Sequence, residues 1–324
     1  MNERLGKYEL VRPLGAGGMA EVFVAVVRGA EGFTRPVAIK RVLSEHSRQP
    51  GFAEMFVNEA RLAAMLRHEN VVQTLDFDRD ELGRLYLVME LVEGRDLDQV
   101  AAAGRLPWPV LVHVLAGVLR GLGHAHDLVV DGKPQIVVHR DVSPHNVLVS
   151  WDGAVKVSDL GIAKAVASTG ATRSGAIKGK PAYMSPEQIL GGDLDGRSDL
   201  FAVGVMMWEL IVGRPLFAGG SLEETLARAL HQPITPPREL VPDLPADLDA
   251  IAMTLLARDR DQRFQHARDA VAALEASTSA SLRGRELLAD LLAERFPDRA
   301  PPRGAVRPTG GVRTPVGTPV GTPV

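Results

Sequence analysis

Two carboxylates and an amide in the middle of the chain have the types and spacing that phosphoryl transfer needs. Asp141 and Asn146 lie five residues apart in a short loop after an apolar run, and Asp159 follows Asn146 by thirteen residues. One carboxylate can orient an attacking hydroxyl, while an amide oxygen and a second carboxylate suit Mg²⁺, which proteins usually hold with few carboxylates plus substrate phosphates. The sequence therefore predicts Asp141 as the base, and Asn146 and Asp159 as metal ligands.

A glycine-rich segment near the N-terminus could approach phosphates closely. It comprises Gly15, Ala16, Gly17 and Gly18. Glycine lets backbone N–H groups come near a phosphate, but the segment alone is also compatible with an ordinary hairpin. A dinucleotide-binding motif would have a third glycine at Ala20 and a helix directly afterwards, whereas a β-rich run follows here. A strand–loop–strand flap over phosphates is therefore the favoured interpretation.

Lys40 ends a β-rich run, where an ammonium is costly to desolvate unless it is paired. Glu59 lies on the helix predicted next and is a plausible partner, with Glu54 as a competitor on the same helix. A Lys40–Glu59 pair could direct the ammonium onto nucleotide phosphates. Taken alone, however, Lys40 is better explained as a surface lysine whose stem packs on apolar neighbours.

Composition excludes several classes of protein. The chain has 324 residues, 45% of them apolar, enough for a large core in one domain or two lobes. Its net charge of −3 gives no basic excess for nucleic acid or an anionic membrane. There is no cysteine, which excludes disulfides and thiolate sites and is compatible with a reducing cytoplasm. The N-terminus carries no apolar signal segment, and no apolar run reaches bilayer length, so we expect a soluble, cytoplasmic protein.

The elements that must position these residues change character along the chain. β-rich runs dominate the first ninety residues, at 22–27, 36–40, 71–72 and 85–89, with one helix at 52–66. Helical spacing dominates from residue 110, clearest at 200–210 and 248–256, with short strands at 136–138, 147–149 and 155–157. The pattern predicts an α+β fold of two lobes with a cleft between them and a connection near 90–94.

The last fifty residues differ from the rest. Residues 277–297 could form one amphipathic helix that stops at Pro297. Residues 298–324 are rich in Pro, Thr and Gly and repeat a Thr-Pro-Val-Gly unit, so we expect a disordered tail. A linker is the simpler interpretation of that tail, and an array of Thr-Pro phosphoacceptors is the alternative.

The ordered set of motifs resembles the protein kinases. The motifs are the glycine-rich loop, Val37-Ala38-Ile39-Lys40, a helical Glu59, His139-Arg140-Asp141 with Asn146, Asp159-Leu160-Gly161, Ser185-Pro186-Glu187, and Arg263 as partner of Glu187. The resemblance extends from about Tyr8 to Leu274, and the residues of the motifs are most similar to those of bacterial Hanks-type serine/threonine kinases. It implies a bilobal kinase domain over 1–276, with an N-lobe at about 8–89, a hinge at 90–94 and a C-lobe at 95–276.

The resemblance also implies the ligands and their contacts. ATP and Mg²⁺ are the expected cofactors, and proteins are the expected substrates. Gly15, Gly17 and Gly18 would cover the phosphates, which Lys40 and Glu59 would position. The residues implied at adenine are Val22, Ala38 and Leu148, the gatekeeper Met89, and the backbone of Glu90 and Val92. His139 is expected to be a packed structural histidine, and Arg140 a surface arginine or a receiver for a phosphorylated side chain.

Two residues depart together from the family pattern. Ser143 stands where serine/threonine kinases usually have a lysine that contacts the γ-phosphate, and Lys180 stands where they usually have a threonine. A cation near a developing phosphoryl charge is a large catalytic contribution. Our hypothesis is that Lys180 supplies the missing cation, and the alternative is two independent losses in a weakened kinase. Two smaller departures are Leu160, which can still pack, and Ala63, which could loosen the helix that carries Glu59 unless Leu62 compensates.

The segment 160–187 is implied to be the activation loop. Its candidate phosphoacceptors are Ser168, Thr169, Thr172 and Ser174. A phosphate there could pair with Arg140 and order the loop, and self-association would allow trans-autophosphorylation. Two other functional classes stay open at this point: a pseudokinase scaffold, and a phosphotransferase that acts on small molecules.

Overall fold

The computed structural model of the chain describes residues 3–16, 20–43, 51–160 and 180–298, apart from the side chains of residues 52, 53, 55 and 59. A strand-rich part extends to Glu90, and a helix-rich part begins at Gly94. This is the predicted two-lobed α+β arrangement, with the connection at residues 91–93.

Six antiparallel strands form the N-terminal sheet, in the order β1-β2-β3-β4-β6-β5. The strands are β1 Arg4–Leu5, β2 Tyr8–Ala16, β3 Ala20–Arg28, β4 Thr34–Val42, β5 Thr74–Arg79 and β6 Leu85–Glu90. One face buries a cluster that includes Ala25, Val37 and Ile39. The other face packs against helix α1, Phe52–Met65, through Phe56 and Ala60. Helix α1 therefore covers part of this second face, and the rest of it, at Val22 and Ala38, lines the cleft.

Two long helices form the centre of the C-terminal part. They are α3, Trp108–His126, and α5, Gly196–Val212. The other helices are α2 Leu97–Ala102, α4 Pro186–Leu190, α6 Leu222–His231, α7 Pro237–Leu240, α8 Ala246–Leu255, α9 Ala267–Glu275 and α10 Gly284–Arg295. Helix α5 is apolar on nearly every side, as expected for a helix surrounded by protein. Within the described ranges, no helix is both long enough and apolar enough to cross a bilayer.

A small three-stranded sheet lies where the two parts meet. It has the order β11-β10-β7, with β7 at Gly94–Asp96, β10 at Val147–Ser150 and β11 at Val155–Val157. A hairpin of β8, Val129–Val130, and β9, Lys133–Pro134, lies apart from it. Strand β7 directly follows the connection, so it joins the hinge to the strand β10 that follows the Asp141–Asn146 loop.

Two predicted strands are wrong, and both errors have a local cause. Residues 136–138 form no strand, because the Val137 N–H donates to the Ala125 carbonyl at the end of α3 instead of joining a sheet. Residues 71–72 form a single parallel bridge from Val71 to Val157 rather than a strand. Val71, Val137 and Val138 pack in the core, while Ile136 is exposed, so the apolar composition of these segments reflects burial of single side chains and not strand pairing.

The C-terminal helix is part of the helical core. Helix α10 occupies Gly284–Arg295 inside the predicted 277–297 range, and its Leu288 and Leu292 are fully buried in the same cluster as α3 and α5. The predicted disordered tail, from residue 299 onward, lies outside the described residues.

Candidate active site

A cavity of about 770 Å³ lies between the two parts of the chain. Most residues predicted to contact ATP line it together, namely Gly15, Val22, Ala38, Met89, Glu90, Val92 and Leu148, and so does the predicted metal ligand Asp159. Ala16 ends β2 and pairs with Glu21, while Gly17 and Gly18 lie outside the described residues. The cavity has the size and the largely apolar lining of a pocket for a nucleotide-sized ligand.

The hinge residue Glu90 has most of its polar groups engaged. Its N–H donates to the Gln73 carbonyl at 2.9 Å, and its carboxylate accepts from the Gln73 N–H and from Lys156 Nζ, both at 2.8 Å. The Glu90 N–H is therefore not available to adenine. Of the backbone contacts predicted at this residue, the structure is compatible only with one through the carbonyl.

Lys40 reaches across the cleft to the second predicted metal ligand. Its Nζ lies 2.7 Å from Oδ1 of Asp159, and the two side chains are 23% and 39% exposed. This ion pair places the ammonium at the carboxylate end of the cleft, where phosphates could contact it. The predicted partner Glu59 lies on α1, but its side chain is outside the described residues, so the Lys40–Glu59 pair stays a prediction.

The amide of Asn146 is oriented by Asp141. Its Nδ2 donates to the Asp141 carbonyl at 2.8 Å and to Asp141 Oδ2 at 3.1 Å. Because both partners are acceptors, the nitrogen must face Asp141 and the amide oxygen must face elsewhere. The Asn146 oxygen is thus left free of Asp141 while the nitrogen holds the Asp141 carboxylate, an orientation compatible with the predicted base and metal ligand.

A buried carboxylate on α5 fixes the loop that carries Asp141. Asp199 accepts hydrogen bonds from the backbone N–H groups of His139 and Arg140, at 2.8 and 2.9 Å, and from Nε2 of His126 at 2.8 Å. Burial alone would raise the pKa of Asp199, but these hydrogen bonds outweigh it and lower the pKa. Arg140 has a φ of 63°, a conformation that costs energy in a residue with a side chain, and the two backbone bonds hold it there.

His139 joins this loop to the strand that precedes Asp159. The histidine is fully buried; its Nε2 lies 3.0 Å from the Ser158 carbonyl, and its Nδ1 accepts from the Asp141 N–H at 3.3 Å. A neutral imidazole with its proton on Nε2 satisfies both contacts. His139 is a structural histidine, as predicted, and it fixes the spacing between Asp141 and Asp159.

The two residues that depart from the family pattern differ in exposure. Ser143 is fully buried, and its Oγ has no hydrogen-bond partner among the described residues. Lys180 is half-buried and directly precedes the 3₁₀ helix Pro181–Tyr183. Ser143 is therefore not a polar group of the open cleft. The candidate phosphoacceptors Ser168, Thr169, Thr172 and Ser174 lie outside the described residues.

Ala63 lines a second, small cavity behind Met89. This cavity has a volume of about 30 Å³ and is also lined by Lys40, Asp159 and Leu160. Leu62 packs against the cluster that contains Leu160. The small side chain of Ala63 leaves a void about the size of one water molecule, while Leu62 supplies apolar contact beside it.

A buried ion pair in the helix-rich part joins α4 to the segment between α8 and α9. Arg263 donates to both carboxylate oxygens of Glu187, at 2.7 and 2.9 Å, and its side chain is fully buried. This is the pair that the resemblance implies. Sequence reasoning missed His126 and did not assign Asp199 a role, although an aspartate inside the otherwise apolar α5 is a signal that could have found it.

Comparison with known families agrees with this geometry. A match to the family described as "Protein kinase domain" extends over residues 8–275. The chain belongs to the protein kinase family. The kinase domain of PknI from Mycobacterium tuberculosis has the same fold, with a TM-score of 0.64 and 27% identity over 85% of this chain and 97% of that one.

Similar kinases come from several bacteria. Tyrosine-protein kinase MasK of Myxococcus xanthus is 43% identical over 285 residues, which are 86% of this chain and 44% of that protein. Serine/threonine-protein kinase PrkC of Bacillus subtilis is 32% identical over 85% of this chain and 41% of that protein. The kinase PknA of M. tuberculosis is 37% identical over 84% of this chain and 62% of that protein. The chain thus spans about two fifths of the length of several of the relatives it matches.

Proposed function

We propose that the chain is a serine/threonine protein kinase that transfers the γ-phosphate of ATP to hydroxyls of proteins in bacterial signalling, acting in the cytoplasm, where ATP is supplied. The observation that carries the proposal is the arrangement of Asp141 and Asn146 beside the Lys40–Asp159 ion pair, at one end of a nucleotide-sized cleft. A base, two oxygen ligands for a cation and a phosphate-binding ammonium are the groups that this transfer requires.

The proposal gives a role to the residues that are predicted to contact ATP and Mg²⁺. Val22, Ala38 and Leu148 would contact the adenine ring, with Met89 at the back of the pocket and Val92 at the hinge. Asn146 and Asp159 would hold Mg²⁺, which supplies charge neutralisation at the phosphates. The exclusively oxygen donors of these two side chains fit that ion. Asp141 would orient the substrate hydroxyl and accept its proton.

The preference for serine and threonine rests on two features. Pro144 in the catalytic loop and the Ser185-Pro186-Glu187 segment resemble the serine/threonine members of the family, and several relatives carry that name. MasK, however, is named a tyrosine-protein kinase. Phosphoamino acid analysis of a generic protein substrate after incubation with labelled ATP decides between serine/threonine and tyrosine specificity. We expect phosphoserine and phosphothreonine, and phosphotyrosine as the main product would overturn the preference.

We also propose that Lys180 supplies the cation that Ser143 does not. Ser143 is fully buried and uncharged, so this position cannot contribute a charge to the cleft. Lys180 immediately precedes Pro181–Tyr183, and the Gln188 side chain on the following helix α4 donates to the Arg140 carbonyl at 3.2 Å. The backbone after Lys180 is therefore tied to the loop that contains Asp141. An ammonium supplied from this side would meet the developing phosphoryl charge.

A pseudokinase scaffold and a small-molecule phosphotransferase are the alternatives. The four residues Lys40, Asp141, Asn146 and Asp159 favour an active enzyme over a scaffold, because loss of phosphoryl transfer usually follows loss of one of these groups. The Glu187–Arg263 pair favours a protein substrate, since kinase-like enzymes for small molecules typically lack both residues. Autophosphorylation of residues 160–187 by a second copy of the chain would supply a phosphate for Arg140.

A further inference from the structure

The C-terminal helix α10 lies outside the matched kinase domain, yet it is built into the region beside the nucleotide cleft. The matched domain ends at residue 275, and α10 begins at Gly284. At the start of the helix, Arg285 forms an ion pair with Asp152 and donates to the Asp152 carbonyl at 3.1 Å. The turn that contains Asp152 directly follows β10, so α10 is anchored next to a strand that lines the cleft.

The other end of α10 holds helix α2 at its C-terminus. Arg295 Nη1 donates to the carbonyls of Val100 at 3.0 Å and Gly104 at 2.8 Å, and its Nη2 donates to the Arg105 carbonyl. The last carbonyls of a helix have no partner inside the helix, so a guanidinium there both satisfies them and fixes the helix end. The opposite end of α2 begins at Asp96, whose side chain accepts from the Gln99 N–H and which lines the cleft.

One residue beyond α10, an aromatic ring meets a cation at the mouth of the cleft. The Arg95 guanidinium carbon lies 4.9 Å from the centre of the Trp151 ring and 5.2 Å from that of Phe296, and the two rings are 6.2 Å apart. Arg95 and Trp151 line the nucleotide cleft, and so does Asp298. A guanidinium that contacts two adjacent aromatic rings is attracted by both and loses side-chain freedom.

We propose that Phe296 is a positioning residue for ATP, which holds Arg95 and strand β7 at the mouth of the cleft. Strand β7 contains Gly94, Arg95 and Asp96, and its register opposite β10 pairs Asp96 with Leu148 on the floor of the cleft. If the Phe296 ring is removed, Arg95 loses one of its two aromatic faces and the β7 wall of the cleft is less restrained. ATP must then order this wall on binding, which weakens affinity without a change in the phosphoryl-transfer groups.

The test compares Phe296→Ala with two controls in the full chain. We expect Phe296→Ala to raise the Kd and KM for Mg-ATP about three- to tenfold, with kcat within about twofold of wild type. Phe296→Tyr keeps the aromatic face and should bind ATP as wild type does. Leu287→Ala removes a partly buried side chain near the start of α10, and it should leave ATP affinity unchanged if the effect is specific to Phe296.

A double-mutant cycle identifies the route of the effect. Arg95→Ala should weaken ATP binding by a similar factor, and Arg95→Ala combined with Phe296→Ala should be no worse than the weaker-binding single variant. Additive losses, an unchanged Kd in Phe296→Ala, or an equal loss in Leu287→Ala would overturn the proposal.

The inference rests on the proposed ATP site. Calorimetric titration of Mg-ATP distinguishes failure of this inference from failure of the proposed function. Wild-type binding without phosphotransfer would overturn the proposed function alone, since the Phe296 comparison is made on binding. Failure of the wild-type chain to bind ATP would overturn both.

Discussion

Asp199 shows how one buried residue determines the geometry of the site. Its carboxylate accepts from three donors, and two of them are the backbone N–H groups of His139 and Arg140, just before the proposed base Asp141. His139 then continues the network to the Ser158 carbonyl. Asp141 and Asp159 are therefore positioned by polar contacts within the protein, which keeps the two carboxylates in place before any substrate binds.

Lys180 carries the most specific prediction at the scale of a single residue. Replacing Lys180 by alanine removes the proposed cation near the transferred phosphoryl group, so kcat should fall by about two orders of magnitude while the Kd for ATP changes little. Steady-state kinetics and ATP titration measure the two quantities.

Ser143→Ala is the matched control for Lys180→Ala. The Ser143 hydroxyl is buried with no hydrogen-bond partner among the described residues, so its loss should leave kcat nearly unchanged. If Lys180→Ala retained wild-type turnover, the hypothesis that Lys180 supplies the cation absent at Ser143 would be wrong.

The Glu187–Arg263 pair predicts a pH dependence of stability. Burial tends to raise the pKa of Glu187, but hydrogen bonds from Arg263 and Ser198 outweigh it and lower the pKa below its ordinary 4.5. A lowered pKa in the folded state stabilises the protein above about pH 4.5, and this stabilisation is lost as the pH falls through the folded-state pKa. At pH 7, Glu187→Gln should lower the free energy of unfolding by about 3 kcal/mol or more.

Urea unfolding across pH measures this difference. The gap between wild type and Glu187→Gln should narrow as the pH falls below about 4.5, where the unfolded chain takes up a proton at Glu187, and it should close once the pH lies below the folded-state pKa. Glu239→Gln, at an exposed position, is the control and should be close to wild type at every pH. A gap that stays constant down to acid pH would contradict the role of the ionised pair.

At the scale of elements, periodic segments could be predicted and irregular ones could not. Helices α1 and α8 and strands β3, β4 and β6 follow apolar patterns of the right period, and α5 follows a long apolar run. Strand β2 was predicted only as the first arm of the glycine flap, without bounds, because most of its residues are exposed and it contains Pro13, while β5 was missed because it carries Asp76 and Asp78. Both strands owe their conformation to pairing with neighbouring strands, which a single sequence does not reveal.

The site residues were more predictable than the contacts that hold them. The roles of Asp141, Asn146 and Asp159 could be proposed from residue type and spacing, since phosphoryl transfer restricts which residues can occupy such positions. The contacts from His126 to Asp199 and from Arg295 to α2 join residues 73 or more positions apart, and no local pattern predicts such pairs. Phe296 was invisible as a site residue for the same reason.

Gly94 supplies a prediction about β7 as an element. A Cβ at this position would lie 1.9 Å from the Val149 carbonyl oxygen, which belongs to the backbone of β10 and cannot rotate away. Gly94→Ala should therefore separate β7 from β10 and lower the free energy of unfolding by about 1–3 kcal/mol, with weaker ATP binding. Thermal unfolding and ATP titration measure these effects.

Gly192→Ala is the control for Gly94→Ala. An added Cβ there would meet its nearest neighbour, the Glu187 carbonyl oxygen, at an ordinary 3.6 Å. Its stability should be within about 0.5 kcal/mol of wild type. Equal stability of the two alanine variants would contradict the predicted clash between a side chain at Gly94 and the backbone of β10.

At the scale of the whole molecule, two ion pairs and a short run of backbone hydrogen bonds connect the two parts within the described ranges. Lys40 pairs with Asp159, and Lys156 pairs with Glu90 at the hinge. The Val71–Val157 bridge adds a backbone contact between them. Because the two ion pairs are partly exposed, they guide the relative position of the parts more than they stabilise the fold. The cleft can therefore admit a ligand without breaking the core of either part.

The measurement that tests the central claim most directly compares wild type with Asp141→Asn for phosphotransfer from labelled ATP to a protein and for ATP binding. We expect the wild-type chain to transfer phosphate, and Asp141→Asn to bind ATP with similar affinity but transfer it at least about a hundredfold more slowly. Transfer by Asp141→Asn at the wild-type rate, or ATP binding without any transfer by the wild-type chain, would contradict the account.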